Sequence, residues 1–107
     1  MVAGTPTPRQ GDIWWAEAED KRRPVLIITR SEAIPVLAAI VVAPITTTIR
    51  GIPTEIAVGS AEGLPADSAA SFDNLQPIRR GFLTVRMGEL GIRRTEICSA
   101  LEALADC

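Results

Sequence analysis

The chain contains no histidine. That absence excludes imidazole acid–base chemistry, the Ser-His-Asp and Cys-His nucleophilic systems, and most transition-metal sites. Cysteine is nearly absent as well. Cys98 and Cys107 stand nine residues apart, a spacing that suits neither a metal nor a redox pair, so free thiols in a reducing cytoplasm are expected. Aromatic residues are scarce. With only Trp14, Trp15, Phe72 and Phe82 available, the core implied by 47% apolar content must be built from Val, Ile, Leu and Ala. No apolar run reaches membrane-spanning length, and the longest, VLAAIVVAP, is strand-sized. The opening residues MVAGTPTPRQ are polar and rich in Pro and Thr, which is not a signal peptide. They read as a flexible leader over 1–9, ahead of one domain spanning 10–107. Neither GSAEG nor RRG fits a phosphate-cradling loop. The acidic stretch with Glu17, Glu19 and Asp20 reads as a solvated loop, not a cation site.

The residues that are present favour short strands. DIWWAEA alternates and should place its two tryptophans on opposite faces. EDKRR follows as a charged hairpin loop, then PVLIITR, with proline at the first strand position. VLAAIVVAPI is too continuous for a half-exposed ribbon and reads as the most buried strand. TEIAV, SAASFDNLQPI and GFLTVRM complete the set, with polar turns between them. From Thr95 the pattern changes: Ile97, Leu101 and Leu104 fall at helical spacing, with Thr95 as N-cap. Gaps between strands are too short for crossover helices, so a parallel βαβ sheet is disfavoured. The fold class is mainly β: a small, strongly bent sheet or partly closed barrel with a C-terminal α-helix.

Net charge is −2, yet the cations are clustered: Lys21, Arg22 and Arg23; Arg79 and Arg80; Arg93 and Arg94. Composition alone makes Arg22 and Arg23 ordinary loop charges. Against that, Pro24 restrains Arg23 beside a strand, and a guanidinium so held offers a planar fork of donors to a phosphate. APITTT is ordinarily β-propensity plus turn hydroxyls. Thr46, locked behind Pro44 and Ile45, is the hydroxyl best placed to act as a rigid donor.

Taken in order, GDIWWAEAEDKRRPVLIITRS, IVVAPITTTIR and DSAASFDNLQPI closely resemble the MazF/PemK family of toxin endoribonucleases, from about Gln10 to Asp106. The resemblance implies an SH3-like barrel of the CcdB/PemK kind with a C-terminal helix. It implies a homodimer that cleaves single-stranded RNA at short sequence motifs without metal or other cofactor, and that a MazE-type antitoxin neutralises in a toxin–antitoxin hetero-oligomer. It places the catalytic arginine on Arg23 and the catalytic threonine on Thr46. The substrate's own 2′-hydroxyl would attack the adjacent phosphorus, leaving a 2′,3′-cyclic phosphate (or 3′-phosphate) and a 5′-hydroxyl end, so no histidine is required. Relatives often carry a longer first loop containing G-S-E-Q, so here Asp20 and Lys21 are candidates for part of that surface, with Arg22 beside them. Asn74 stands where relatives often have glutamine and keeps an amide able to read a base edge; Gln76 is a second candidate. Arg79 and Arg80 either line the same RNA groove or cover a turn. The RNA is mRNA, rRNA or tRNA, and no membrane is involved. Two other readings remain: a CcdB-like toxin that binds a protein such as DNA gyrase, and a non-catalytic module that binds RNA or antitoxin.

Overall fold

The computed structural model describes residues 7–18 and 21–105. Seven strands form in chain order: β1 (Asp12–Ala18), β2 (Lys21–Ile27), β3 (Ala39–Thr46), β4 (Glu55–Val58), β5 (Ser68–Ser71), β6 (Gln76–Arg79) and β7 (Leu83–Glu89). One helix, α1 (Glu96–Leu104), closes the described chain. All strand pairs are antiparallel. The sheet runs β4-β5-β3-β2-β1-β7, and β6 pairs with β3 off that path. It is a curled half-barrel, the mainly β architecture with a terminal helix that the sequence implied.

The continuous apolar runs are explained by a sheet buried on both faces. Alternation sends Ile13, Leu26, Ala43 and Ile45 into one cluster, which Phe72, Ile56 and, from α1, Ile97 and Ala100 complete. It sends Trp14, Val25, Ile27, Ile40 and Val42 into a second, closed by Ile34, Ile78 and Leu83. Trp14 is buried and Trp15 is half-buried, so the tryptophans do divide between faces. The Trp14 indole N–H donates to Asp12 Oδ2 at 3.3 Å. The same carboxylate oxygen accepts the Arg9 N–H at 3.0 Å, and Asp12 Oδ1 meets Arg86 at 3.4 Å. Asp12 is therefore buried with partners, which is what makes its burial tolerable.

Four expectations need correction. Lys21, Arg22 and Arg23 are not in a hairpin loop but open β2. Glu17 lies in β1, while Glu19 and Asp20 fall outside the described residues. SAASFDNLQPI is two strands, broken by a 3-10 turn at Phe72–Asn74 that drops Phe72 into the core. Thr95 does not cap α1. It has helical angles (φ −61°, ψ −21°) and no capping side-chain bond, because a 3-10 turn over Gly91–Thr95 runs straight into the helix. Leu104, at the last turn, is 41% exposed, beyond the reach of the core. Residues 1–6 of the expected leader and Cys107 fall outside the described residues; Cys98 is a free, exposed thiol. No helix among the described residues is long and apolar enough to cross a membrane.

Two backbone segments touch where β7 passes the 3-10 turn at Ser60–Glu62. A Cβ on Gly88 would overlap the Glu62 carbonyl oxygen, and one on Gly63, at φ +90°, would overlap the Met87 carbonyl. This approach leaves Glu62 within reach of Arg93. Arg93 Nη1 pairs with Glu62 at 3.2 Å, Nε pairs with Glu96 at 2.7 Å, and Nη2 donates to the Ala57 carbonyl at 2.7 Å. One guanidinium thus ties the helix entry to β4 and the 3-10 turn.

Gly88→Ala should cost about 1–3 kcal/mol through forced backbone displacement, read as a lower urea midpoint. The hydrogen bond from Arg93 is the main cause holding the Glu96 carboxyl below the usual glutamate range; partial burial opposes it and the guanidinium charge reinforces it. A depressed folded value adds stability above the unfolded value of about 4.3, and that stability is lost as pH falls through the lower folded value. Because Glu96 is 43% exposed, the contribution should be under about 1 kcal/mol. Arg93→Ala should flatten the fall in urea midpoint below about pH 4.3 by that amount.

Candidate active-site cleft

The site follows from strand register. β2 and β3 pair Val25 with Pro44 and Ile27 with Val42, and all four side chains are buried. Val25, Ile27 and Val42 belong to the second cluster. Continuing that register two residues outward sets Arg23 opposite Thr46, on the same face, where the strands no longer pair. The buried side chains give way there to an open cleft of about 240 Å³ lined by Arg23, Pro44 and Thr46. Arg23 is exposed and Thr46 half-buried.

Thr46 is held in a defined state. Its Oγ1 accepts the Thr48 backbone N–H at 3.1 Å, so the hydroxyl proton remains available to a ligand. Asn74 and buried Ser71 supply the opposite wall. The Asn74 amide Nδ2 donates to Ser71 Oγ at 2.9 Å, leaving the amide carbonyl as an acceptor.

Besides Ser71, three further residues that sequence reasoning missed line the cleft: Thr48, Arg50 and Glu55. Their only signal in the chain is TTTIRGIPTE, a turn whose Gly51 takes φ +69°. Among the described residues, neither Arg23 nor Arg50 has a carboxylate within ion-pair distance; the paired arginines are Arg22, Arg86 and Arg93. The cleft thus carries two guanidinium groups that form no ion pair among the described residues, an arrangement suited to phosphate oxygens.

The other candidate residues separate. Alternation turns Arg22 away from Arg23, and its Nε pairs at 3.2 Å with Glu17, directly opposite on β1. Lys21 is exposed on Arg23's side of β2, and Asp20 falls outside the described residues. Gln76 and Arg79 line a different hollow with Ala39, Pro77 and Phe82. Arg79 sits opposite Ala39, at the far end of β3 from Thr46, roughly 20 Å away at the usual rise per residue. Arg80 is exposed in the turn that follows. Within the chain, the structure brings together Arg23, Thr46 and Asn74, and leaves Gln76, Arg79 and Arg80 elsewhere. Among the described residues, no group of three or more Cys, Asp or Glu is arranged to hold a metal ion.

Comparison with known proteins agrees with this architecture along nearly the whole chain. The chain is 42% identical over 106 residues to the probable endoribonuclease MazF5 of Mycobacterium tuberculosis, covering 96% of this chain and 97% of that protein. It is 52% identical over 59 residues to endoribonuclease MazF3 of the same species, covering 55% and 57% respectively. The solved M. tuberculosis toxin MazF-mt6 superposes with a TM-score of 0.81 at 40% identity, over 89% of this chain and 96% of that one. An endoribonuclease from a mycobacterial species, solved in complex with its cognate antitoxin, superposes with a TM-score of 0.76 at 26% identity, over 90% and 92%. The family model for the PemK-like, MazF-like toxin of type II toxin–antitoxin systems matches residues 9–106, and with that match running from the Asp12 turn through the cleft to the end of α1, the chain belongs to that family.

Proposed function

We propose that the protein is a sequence-specific endoribonuclease toxin that cleaves single-stranded RNA without a metal, with Arg23 and Thr46 as its catalytic residues. The observation that carries this reading is the convergence of those two side chains on one face of the cleft, set by the β2–β3 register. The 2′-hydroxyl of the substrate attacks its neighbouring phosphorus and loses its proton. The bond from phosphorus to the next nucleotide's 5′-oxygen breaks, and that oxygen takes up a proton. The products are a 2′,3′-cyclic phosphate, which opens to a 3′-phosphate, and a 5′-hydroxyl end. Since RNA supplies the nucleophile, the protein's part is alignment and charge stabilisation.

Arg23 sets its guanidinium against the non-bridging phosphate oxygens as negative charge builds there. An arginine is a poor general acid near neutral pH, so its role is electrostatic. Thr46 donates its free hydroxyl proton to the same phosphate or to the attacking oxygen. Asn74 offers its amide carbonyl to a base edge, and Lys21 flanks the cleft as a further phosphate contact. Arg22, already paired with Glu17, contributes less. Asp20, beside Lys21 in the chain, is proposed as an RNA contact in the same reading. Gln76, Arg79 and Arg80 meet RNA only where the strand extends beyond one protomer's cleft, across a homodimer. Neutralisation by a MazE-type antitoxin is part of the same reading, supported by the related mycobacterial complex.

The test is cleavage of a long, weakly structured RNA in EDTA with the ends mapped. Discrete cuts with 5′-hydroxyl ends are expected. Arg23→Ala should lower kcat about 10²–10³-fold, and Arg23→Lys, which keeps charge but loses the fork, at least about tenfold. Thr46→Val, which keeps shape and removes the donor, should cost about ten- to a hundredfold. Substrate with 2′-deoxyribose at the cut site should bind and stay intact. A folded protein that binds RNA and cuts no member of a diverse substrate set would sink the nuclease reading and favour a protein target.

A further inference from the structure

The reaction just described makes no use of Arg50, of the loop that carries it, or of Glu55. The loop over residues 47–54 leaves β3 after Thr46 and returns at β4. Its tip is clipped to its own base. Glu55 Oε1 accepts the backbone N–H of Arg50 and of Gly51, each at 3.0 Å. Gly51, at φ +69° with open space where a Cβ would stand, supplies the left-handed residue that turns two successive N–H groups toward one oxygen. The loop's two ends are tied as well. Thr48 is bonded to Thr46, and Thr54 Oγ1 donates to Asp73 Oδ2 at 2.6 Å beside the Asn74 wall.

A loop fixed at both ends and at its tip does not present its arginine at random. The Arg50 side chain lines the cleft that Arg23 lines, and no carboxylate among the described residues pairs with it. Among the described residues Glu55 is the one carboxylate lining that cleft, and one of its oxygens is committed to the loop backbone. The backbone that carries Arg50 is thereby fixed before ligand arrives, so the loop's share of the ordering cost is already met and the side chain's own remains.

We propose that Arg50 is a second phosphate-binding residue, taking the RNA backbone phosphate next to the scissile one, and that Glu55 is its positioning residue, acting through the loop backbone. This rests on the RNA-cleaving reading for its substrate. Arg23 then serves the bond that breaks, while Arg50 fixes the register of the strand in the cleft. A phosphate contact of this kind strengthens binding for every sequence alike and selects no base.

Three variants and two readouts test it. Arg50→Ala, at an exposed position, should raise KM about tenfold with kcat within about twofold, and should reduce the slope of log affinity against log salt by about 0.7, the single-strand value for one phosphate. Glu55→Ala should raise KM severalfold with kcat retained. Glu55→Gln keeps an oxygen that accepts both N–H groups, so it should recover most of the affinity that alanine loses. The salt slope is measured on an oligonucleotide with 2′-deoxyribose throughout, which reads the phosphate contact whether or not cleavage occurs. An unchanged KM and salt slope in Arg50→Ala overturns the binding role. A collapse of kcat in Glu55→Gln overturns the positioning role, because it would place the Glu55 carboxylate in proton transfer. If wild type fails to cut RNA while Arg50→Ala still lowers the salt slope, the phosphate contact stands and the nuclease reading falls.

Discussion

Everything in this fold leans on β3. One edge of the strand pairs with β2. The other is shared, with Ala39–Val42 pairing to β6 and Ile45–Thr46 pairing to β5. Between those stretches, Ala43 and Pro44 pair with neither β5 nor β6. A proline, which has no N–H to give, is best tolerated where a ladder is interrupted. From Val42 to Ile45 both faces of β3 are buried, which forces apolar side chains there, while Ala39 and Val41 at its start are exposed. The strand is thus the seam along which one curled layer becomes two, β2 following one and β5 the other.

The cleft opens where that seam parts. Beyond Val25 and Pro44, the two strands no longer pair, and a gap results that Arg23 and Thr46 line from the strands and Thr48, Arg50 and Asn74 from loop and turn. A strand fixes the backbone of Arg23 and Thr46 before a ligand arrives, so their positions are set more closely than those of loop residues. The same alternation assigns unlike jobs to adjacent arginines. Arg23 faces the gap, and Arg22 faces Glu17 across the β1–β2 ladder. A pair of identical letters in the chain is two different environments in space.

Much of this could be read from the chain beforehand. β1 agreed with its sequence pattern residue for residue, because DIWWAEA alternates and is bounded in sequence by Gly11 and a run of charged residues. The buried third strand was evident from IVVAPI, and the arginine before Pro24 and the threonine after Ile45 stood out because proline and β-branching fix their neighbours. The start of β2 was not legible, since three consecutive cations resemble a loop until Glu17 and Ala16 are seen to pair with them. The break in SAASFDNLQPI was missed because Phe72 reads equally well as a strand residue and as the anchor of a tight turn. Arg50 and Glu55 were invisible for another reason. Their link is a carboxylate bonded to two main-chain N–H groups, an interaction that leaves no pattern of side-chain types. For Arg79 and Arg80 the sequence left groove and turn equally open, and the antiparallel β3–β6 ladder sets Arg79 at the opposite end of β3 from Thr46.

The cleft draws Arg23 from β2, Thr46 from β3 and Asn74 from the turn after β5, so its members are spread over half of the chain. None of them is held in place by near neighbours alone, and the layer they sit on is completed only when Gly88 packs on Glu62 and Ile97 enters the core. During synthesis from the N-terminus, a growing chain of this kind therefore has no assembled cleft until almost all of it has emerged and folded as a unit.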